Sequence, residues 1–507
     1  MRISRLLRAT TLVLMTATLS SAEGCRPKEA VAADALNQGR PPLAHVAFEG
    51  EVDFGPSMKV RRWRMGNGLR VLLLPEHGAP VVSYHTWVRV GSRDEKPGKT
   101  GIAHLFEHLM FNETTHLAAG EFDRTLEENG AESNAATWVD WTYYHESLPA
   151  SKLSLAAKLE SDRLHNLVLR DKQVGSEKEV VANERRYRVD DDVEGAVNEL
   201  LYQTAFESHP YHWPTIGWMD DIQGFTTEDC EKFYRTYYAP NNVTVVAVGD
   251  FGEESALRIL QDHYGALPAA QIPERKVSVE PAQTKEKRVT VKKPTTTEKV
   301  MLGYKGPSLS DPDHVPLTIL NEILFGGRGA RVHKALVQKK ELATDLRGWV
   351  STFADPGLYE MYAAARGTHT AAELEAALQV EVDAVTKSGV TDDELERAKS
   401  RLELGFLQGL ETVNGKAEQI GFYDTLLGDA GAGFSRLAAY RAVTAAEVQA
   451  VARKYLVAMH RTVVVVLPDG TAGHAEADEE DEAGGAMAKA PKKPARFPRK
   501  SRKWGFR

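Results

Sequence analysis

Apolar positions along this chain follow two rhythms. Runs such as "LRVLLLPE" (69–76) and "VVSYHTWVRVGS" (81–92) read as strands. "NAATWVDWTYYHESLP" (134–149) alternates, which predicts a strand with Ala135, Thr137, Val139, Trp141 and Tyr143 on one side. Between these runs, 151–168, 171–188 and 392–410 read as long helices. Strands alternating with long helices predict an α+β fold.

The pattern also repeats. "FTTEDCEKFYRTYYAPNNVTVVAVGD" (225–250) aligns without gaps on "VTAAEVQAVARKYLVAMHRTVVVVLP" (443–468). Thr226 pairs with Thr444, Arg235 with Arg453, Tyr237 with Tyr455 and Thr244 with Thr462. Each copy reads as a capped helix followed by a valine-rich strand. The starts of the copies match more weakly. "VVSYHTWVRVGS" has the counterpart "EKVMLGYKGPS" (298–308), and "HLFEHLMF" (104–111) falls on "TILNEILF" (318–325). The chain therefore divides into two homologous lobes, 58–270 and 285–470. A charged, Pro-containing linker joins them over 271–284, with "AAQIPERK" (269–276) as the candidate for its centre.

The helix "GIAHLFEHLMF" (101–111) is apolar except at three positions. His104, Glu107 and His108 stand at i, i+3 and i+4, so they share one face. Two imidazoles at that spacing can meet one metal ion, as in H-E-x-x-H zinc peptidases, although here the glutamate precedes the second histidine. Burying three polar groups without strong partners costs roughly a few kcal/mol each, which argues against a chance core cluster. In the second copy Thr318, Asn321 and Glu322 take these three positions. The helix was kept there for packing while its polar face changed. The triplet is thus no packing requirement.

Zinc needs a third protein ligand and an open position for water. The helix at 171–188, with Asp171 read as its N-cap, offers Glu177, Glu179 and Glu184. Glu177 and Glu184 lie two turns apart on one stripe and Glu179 lies off it. Periodicity alone does not rank Glu177 against Glu184. His85, His116, His145, His209 and His212 read as structural or solvent-facing, and Cys230 as a small apolar residue on its helix.

Composition narrows the function classes. With 507 residues and a formal net charge of −8, the chain can hold large cores and shows no basic stripe in its body, so nucleic acid is not an expected partner. Its two cysteines, Cys25 and Cys230, cannot build a disulfide framework. At the N-terminus, Arg2, Arg5 and Arg8 precede the apolar run Ala9–Leu19 and the small residues Ser20, Ser21 and Ala22. That is a secretory signal peptide with cleavage after Ala22. Export to the periplasm follows, with a lipid anchor at Cys25, as in an outer-envelope lipoprotein, as the second reading. Residues 23–57 read as a tether. The end of the chain, 471–507, is acidic ("EADEEDEAGG", 476–485) and then basic and Pro-rich, and cannot bury a core.

Taken together, "GSRDEKPGKTGIAHLFEHLMF", "NAATWVDWTYYHESLP", "EVVANERR", "PYHWPTIGWMDDI" and "YYAPNNVTVVAVGDF" resemble the pitrilysin and mitochondrial-processing-peptidase family of zinc metallopeptidases, over roughly residues 60–470. The resemblance implies two α+β lobes forming half of a clam-like chamber, and a zinc-dependent endopeptidase acting on short or unfolded peptides. It implies one Zn2+ per chain, held by His104, His108 and Glu184. It implies Glu107 as general base and Glu177 as a supporting residue. It also implies an extended peptide added to the strand at Asn134, Ala135, Ala136 and Thr137.

One departure changes the expected assembly. Complete members carry an Arg and a Tyr in the second lobe that hold the scissile carbonyl. In "ARVHKALVQKKELAT" (330–344) those positions are Val337 and Thr344, and Arg331 matches a different, non-catalytic arginine. The family also divides its site between two related subunits. A heterodimer with a partner supplying the Arg/Tyr donors is therefore expected, with a homodimer as runner-up. The short loop "FGGRGAR" (325–331) sits where such partners carry a glycine-rich loop. Some relatives became structural subunits of respiratory complexes, so a non-catalytic assembly role is the alternative from another class.

Overall fold

The computed structural model describes residues 28–471. The signal-peptide, Cys25 and tail readings lie outside the described residues. The first half runs α1 (Lys28–Asn37), β1 (Val46–Phe54), β2 (Met58–Met65), β3 (Arg70–Pro75), β4 (Val81–Val88), α2 (Ile102–Leu109), α3 (Glu121–Glu128), β5 (Glu132–Thr137), β6 (Thr142–Pro149), α4 (Leu153–Asn166), α5 (Asp171–Arg185), α6 (Val193–Ala205), α7 (Met219–Gly224), α8 (Thr227–Tyr237), β7 (Val243–Gly249) and α9 (Glu253–Tyr264). The second runs β8 (Lys287–Lys293), β9 (Lys299–Lys305), α10 (His314–Phe325), β10 (Ala343–Val350), β11 (Leu358–Ala365), α11 (Ala371–Ser388), α12 (Asp392–Gly409), α13 (Val413–Leu427), α14 (Ala432–Ala442), α15 (Ala445–Tyr455) and β12 (Arg461–Pro468).

Each half builds one sheet, and the two sheets share a strand order. The first is β1-β2-β3-β7-β4-β6-β5 and the second, read from its other edge, is β8-β12-β9-β11-β10. The pairs β3–β7 and β8–β12 are parallel and their neighbours antiparallel. The aligned segments fold alike. Thr226 with Asp229 and Thr444 with Glu447 form capping boxes at the starts of α8 and α15. The valine runs of β7 and β12 lie between two covered faces. Val245 and Ala247 face one core, Val246 and Val248 the other.

The covering helices cross between halves. α13, from the second half, packs on β4 and β7 of the first sheet, while α6, from the first half, packs on β9 and β12 of the second. Ala417, Ile420 and Phe422 join Trp87 and Tyr143 in one core. Val197, Leu201 and Tyr202 join Met301, Leu358 and Val464 in another. Gly421 permits the close approach of α13, because a Cβ there would run into the Trp87 indole. The extended segment between the halves is tied down. Arg275 reaches Asp94, and Glu280 accepts the backbone N–H groups of Glu207, Ser208 and His209.

Three expectations need correction. Residues 28–57 are not a tether, since α1 and β1 belong to the first lobe, with Ala33, Leu36 and Val46 in its core. Glu49, Glu51 and Asp53 gave β1 a polar look, but they face Arg64, Arg61 and Lys59 of β2. Residues 134–149 are not one strand but the hairpin β5–β6, turned where the Trp138 N–H donates to the Trp141 carbonyl at 2.9 Å. The turn breaks the alternation, so Ala135 faces the first core and Tyr143 the opposite one. The helix at 171–188 ends at Arg185 and passes into a π-helical turn, Arg186–Asp190. Arg170 is its N-cap and Asp171 its first residue.

Candidate metal centre

α2 buries Ile102, Ala103, Leu105, Phe106 and Leu109 in the first core. His104, Glu107 and His108 are left half-buried on its other face. The helix is short, and both its ends are held. Gly101 before it is left-handed (φ 90°) and supplies no side-chain cap. The buried Glu95 carboxylate caps from a distance, accepting the N–H of Gly101 and of Ala103, each at 2.8 Å. At the other end the Tyr144 hydroxyl donates to the Phe106 carbonyl (3.3 Å) and meets Tyr238 (2.8 Å).

α5 lies alongside α2. Glu184 Oε2 stands 3.2 Å from His108 Nε2 and 3.7 Å from His104 Nε2. A tetrahedral zinc ion, with donors about 2.0–2.2 Å away, holds neighbouring donors about 3.4 Å apart. The donor atoms of His104, His108 and Glu184 all lie within 4.8 Å of one another. Two imidazoles and one carboxylate are also a donor set found in catalytic zinc sites. These residues fit one zinc ion. They are the one group among the described residues with this convergence.

Glu177 meets the opposite side of His108, with Oε2 at 3.8 Å from Nδ1, and its other oxygen accepts from Asn112 at 3.1 Å. Glu184 Oε1 pairs with Arg188 Nε at 2.8 Å. His104 Nδ1 is buried without a hydrogen-bond partner. Burial would raise the Glu184 carboxyl. The His108 hydrogen bond and the charges of His104 and Arg188 outweigh it and hold the group at about 2. Burial pushes the His104 imidazole below its usual range despite the nearby Glu107 charge. For His108 burial is outweighed by the Glu184 hydrogen bond and by the charges of Glu184, Glu107 and Glu177, and its value rises.

Asn134, Ala135, Ala136 and Thr137 lie on β5, the last strand of the sheet, against which α2 packs. The outer side of β5 carries no further strand, and the Ala135 N–H is met by the Asn134 side chain instead. In the second lobe, Val337 packs against the core and Thr344 Oγ1 bonds the Ala364 carbonyl at 3.4 Å. Arg331 is paired with Glu394. On α10, Thr318 bonds His314 and Glu322 bonds Arg401, so those positions now serve packing. His85 and His209 are buried, His212 bonds the Phe206 carbonyl, His116 pairs with Asp162, and Cys230 is buried in α8. Sequence reasoning missed Glu95, Asn112, Tyr144 and Arg188. Only Arg188, at i+4 from Glu184, left a spacing signal.

Residues 70–217 match the family described as Insulinase (Peptidase family M16), and residues 224–402 match the Peptidase M16 inactive domain. The zinc protease PqqE of Helicobacter pylori is 32% identical over 352 residues, 68% of this chain and 79% of that protein. The crystal structure of a protease from Helicobacter pylori superposes with a TM-score of 0.79 at 30% identity, over 81% of this chain and 100% of that one. The first half of the periplasmic protease PqqL from Escherichia coli shares the fold, at a TM-score of 0.68 and 19% identity, covering 88% of this chain and 100% of that half. Against whole PqqL this chain spans 52% of the length. On these matches, the chain belongs to the insulinase-like peptidase family M16.

Proposed function

We propose that this chain is a zinc-dependent endopeptidase of short or unfolded peptides that works with a second, related subunit. The observation that carries this reading is the convergence of His104, His108 and Glu184 on one ion-sized point, with Glu107 on the same helix face. Zinc there would supply a Lewis acid and a water acidified towards about pKa 7. Glu107 takes the proton from the attacking water and returns it to the leaving amine. Glu177 steadies His108 through Nδ1, as a supporting carboxylate does for a ligand histidine. An extended peptide adds to the free edge of β5 at Asn134–Thr137, where main-chain hydrogen bonds hold it and side-chain pockets select it.

Glu107→Gln tests the assignment of roles. The amide cannot accept a proton, so zinc should stay bound while hydrolysis falls by at least about a hundred-fold. Loss of zinc in that variant, with metal and activity kept in Glu184→Gln, would reverse the roles. Val337 and Thr344 favour a second reading, a non-catalytic subunit. Zinc analysis separates the two, since near one ion per chain supports the enzyme. Export is part of the proposal. The mass of the mature protein should place its N-terminus at Glu23 or show an acylated Cys25, and an intact Met1 would refute both.

A further inference from the structure

The β5–β6 turn carries an aromatic side chain that the fold does not need buried. Trp138 directly follows β5 and is 41% exposed. Its backbone is fixed on both sides. The N–H donates to the Trp141 carbonyl, and the carbonyl accepts from Ser92 N–H at 3.2 Å. The ring is therefore exposed on a rigid support. It reaches across to the second half, lying edge-on to Trp349 of β10 with centroids 6.5 Å apart and 6.4 Å from Phe353. Trp349 is itself half-buried and stands 5.6 Å from the buried Phe353. Edge-to-face rings at these separations attract, so the cluster is a preformed apolar wall.

Its place along β5 gives the wall a use. Tyr144, paired in register with Ala135, bonds the carbonyl of Phe106, the residue before Glu107. β5 thus runs beside the helix that carries Glu107. Trp138 lies three residues beyond Ala135, about 10 Å at roughly 3.3 Å per residue. A peptide added to β5 would bring one of its side chains against this wall.

We propose that Trp138 and Trp349, one from each half, form a specificity site for a large apolar side chain of the substrate, Leu or Phe in class. The inference rests on the reading of β5 as the peptide-binding edge. The rings that Trp138 meets are those of Trp349 and Phe353, so burial of apolar area rather than charge pairing does the selecting.

The test uses the full zinc-loaded chain carrying Glu107→Gln, which holds peptides without cleaving them. Labelled peptides differing only by Phe, Leu, Lys or Gly at each position in turn are titrated by fluorescence anisotropy. Phe and Leu should tighten binding about ten-fold or more over Gly at one position. Trp138→Ala and Trp349→Ala should each abolish that preference, and Trp138→Phe should keep most of it. No positional preference, a preference for Lys, or a Phe preference untouched by both alanine variants would overturn the inference while leaving the peptidase reading intact. Absence of binding by every peptide would overturn both.

Discussion

At the scale of single residues, Glu95 holds the start of α2, the helix that carries His104, Glu107 and His108. A helix this short has little cooperativity of its own, and its first N–H groups have no partners within it. The Glu95 carboxylate satisfies two of them with two oxygens. Glu95→Gln replaces one acceptor by a donor and leaves a buried N–H unpaired, at a cost of about 1–3 kcal/mol. The expected result is a lower Tm and, at temperatures where the variant is fully folded, zinc binding about ten-fold weaker by chelator competition. Unchanged zinc affinity beside a lowered Tm would reduce Glu95 to a purely structural cap. A carboxylate seven residues before the helix is invisible to capping rules, which look within a few positions. Glu177 and Glu184 are a different case. Both were legible as one stripe, but periodicity could not rank them. The fold separates them by the nitrogen each one meets, Nε2 of both histidines for Glu184 and Nδ1 of His108 for Glu177.

Among the elements, α10 shows what became of the counterpart of α2 in the second copy. His314 at its start is buried and has both ring nitrogens engaged. Arg436 donates to Nδ1 at 2.7 Å, and Nε2 meets the Ser351 carbonyl at 3.1 Å. That arrangement needs a neutral ring with its proton on Nε2. Burial first, and then the Arg436 charge, lower its value to about 3, against an ordinary value near 6.5. A depressed histidine contributes stability that is present above the unfolded value and is lost as pH falls towards the folded one. Unfolding by urea should therefore show a loss of about 2–3 kcal/mol between pH 6.5 and 4.5 from this residue. His314→Gln should flatten that loss, and an equal loss in the variant would assign it elsewhere. The repeat itself was legible because both copies kept their capping threonines and valine-rich strands. The exchange of α6 and α13 was not, since an apolar helix face does not say which sheet it covers. The β5–β6 turn was hidden for another reason. Its residues 138–141, "WVDW", include neither Gly nor Pro, and the turn is held by Arg93 and Tyr211 converging on Asp140.

For the whole molecule, the question is what this chain can do without a second one. It has the fold of the first half of PqqL and spans 52% of that chain's full length. The residues that would hold zinc, and Glu107, are in its first lobe. Residues 224–402, which take in Val337 and Thr344, match the Peptidase M16 inactive domain, and these two side chains are turned to packing and to a backbone carbonyl. Water activation and carbonyl stabilisation are separable contributions to the same barrier. Loss of one oxyanion donor costs about 2.7–4 kcal/mol, or roughly 100- to 1000-fold in rate. The purified chain should then bind close to one zinc and cleave unfolded peptides slowly. Adding a related subunit that carries an Arg/Tyr pair should raise kcat by at least about a hundred-fold with little change in zinc content. Steady-state kinetics with and without that subunit, alongside metal analysis, read both halves of the prediction. Fast turnover by the isolated chain, insensitive to the partner, would show that other donors complete the site within one chain or its homodimer. Little or no bound zinc, with no turnover in either condition, would instead favour the non-catalytic subunit.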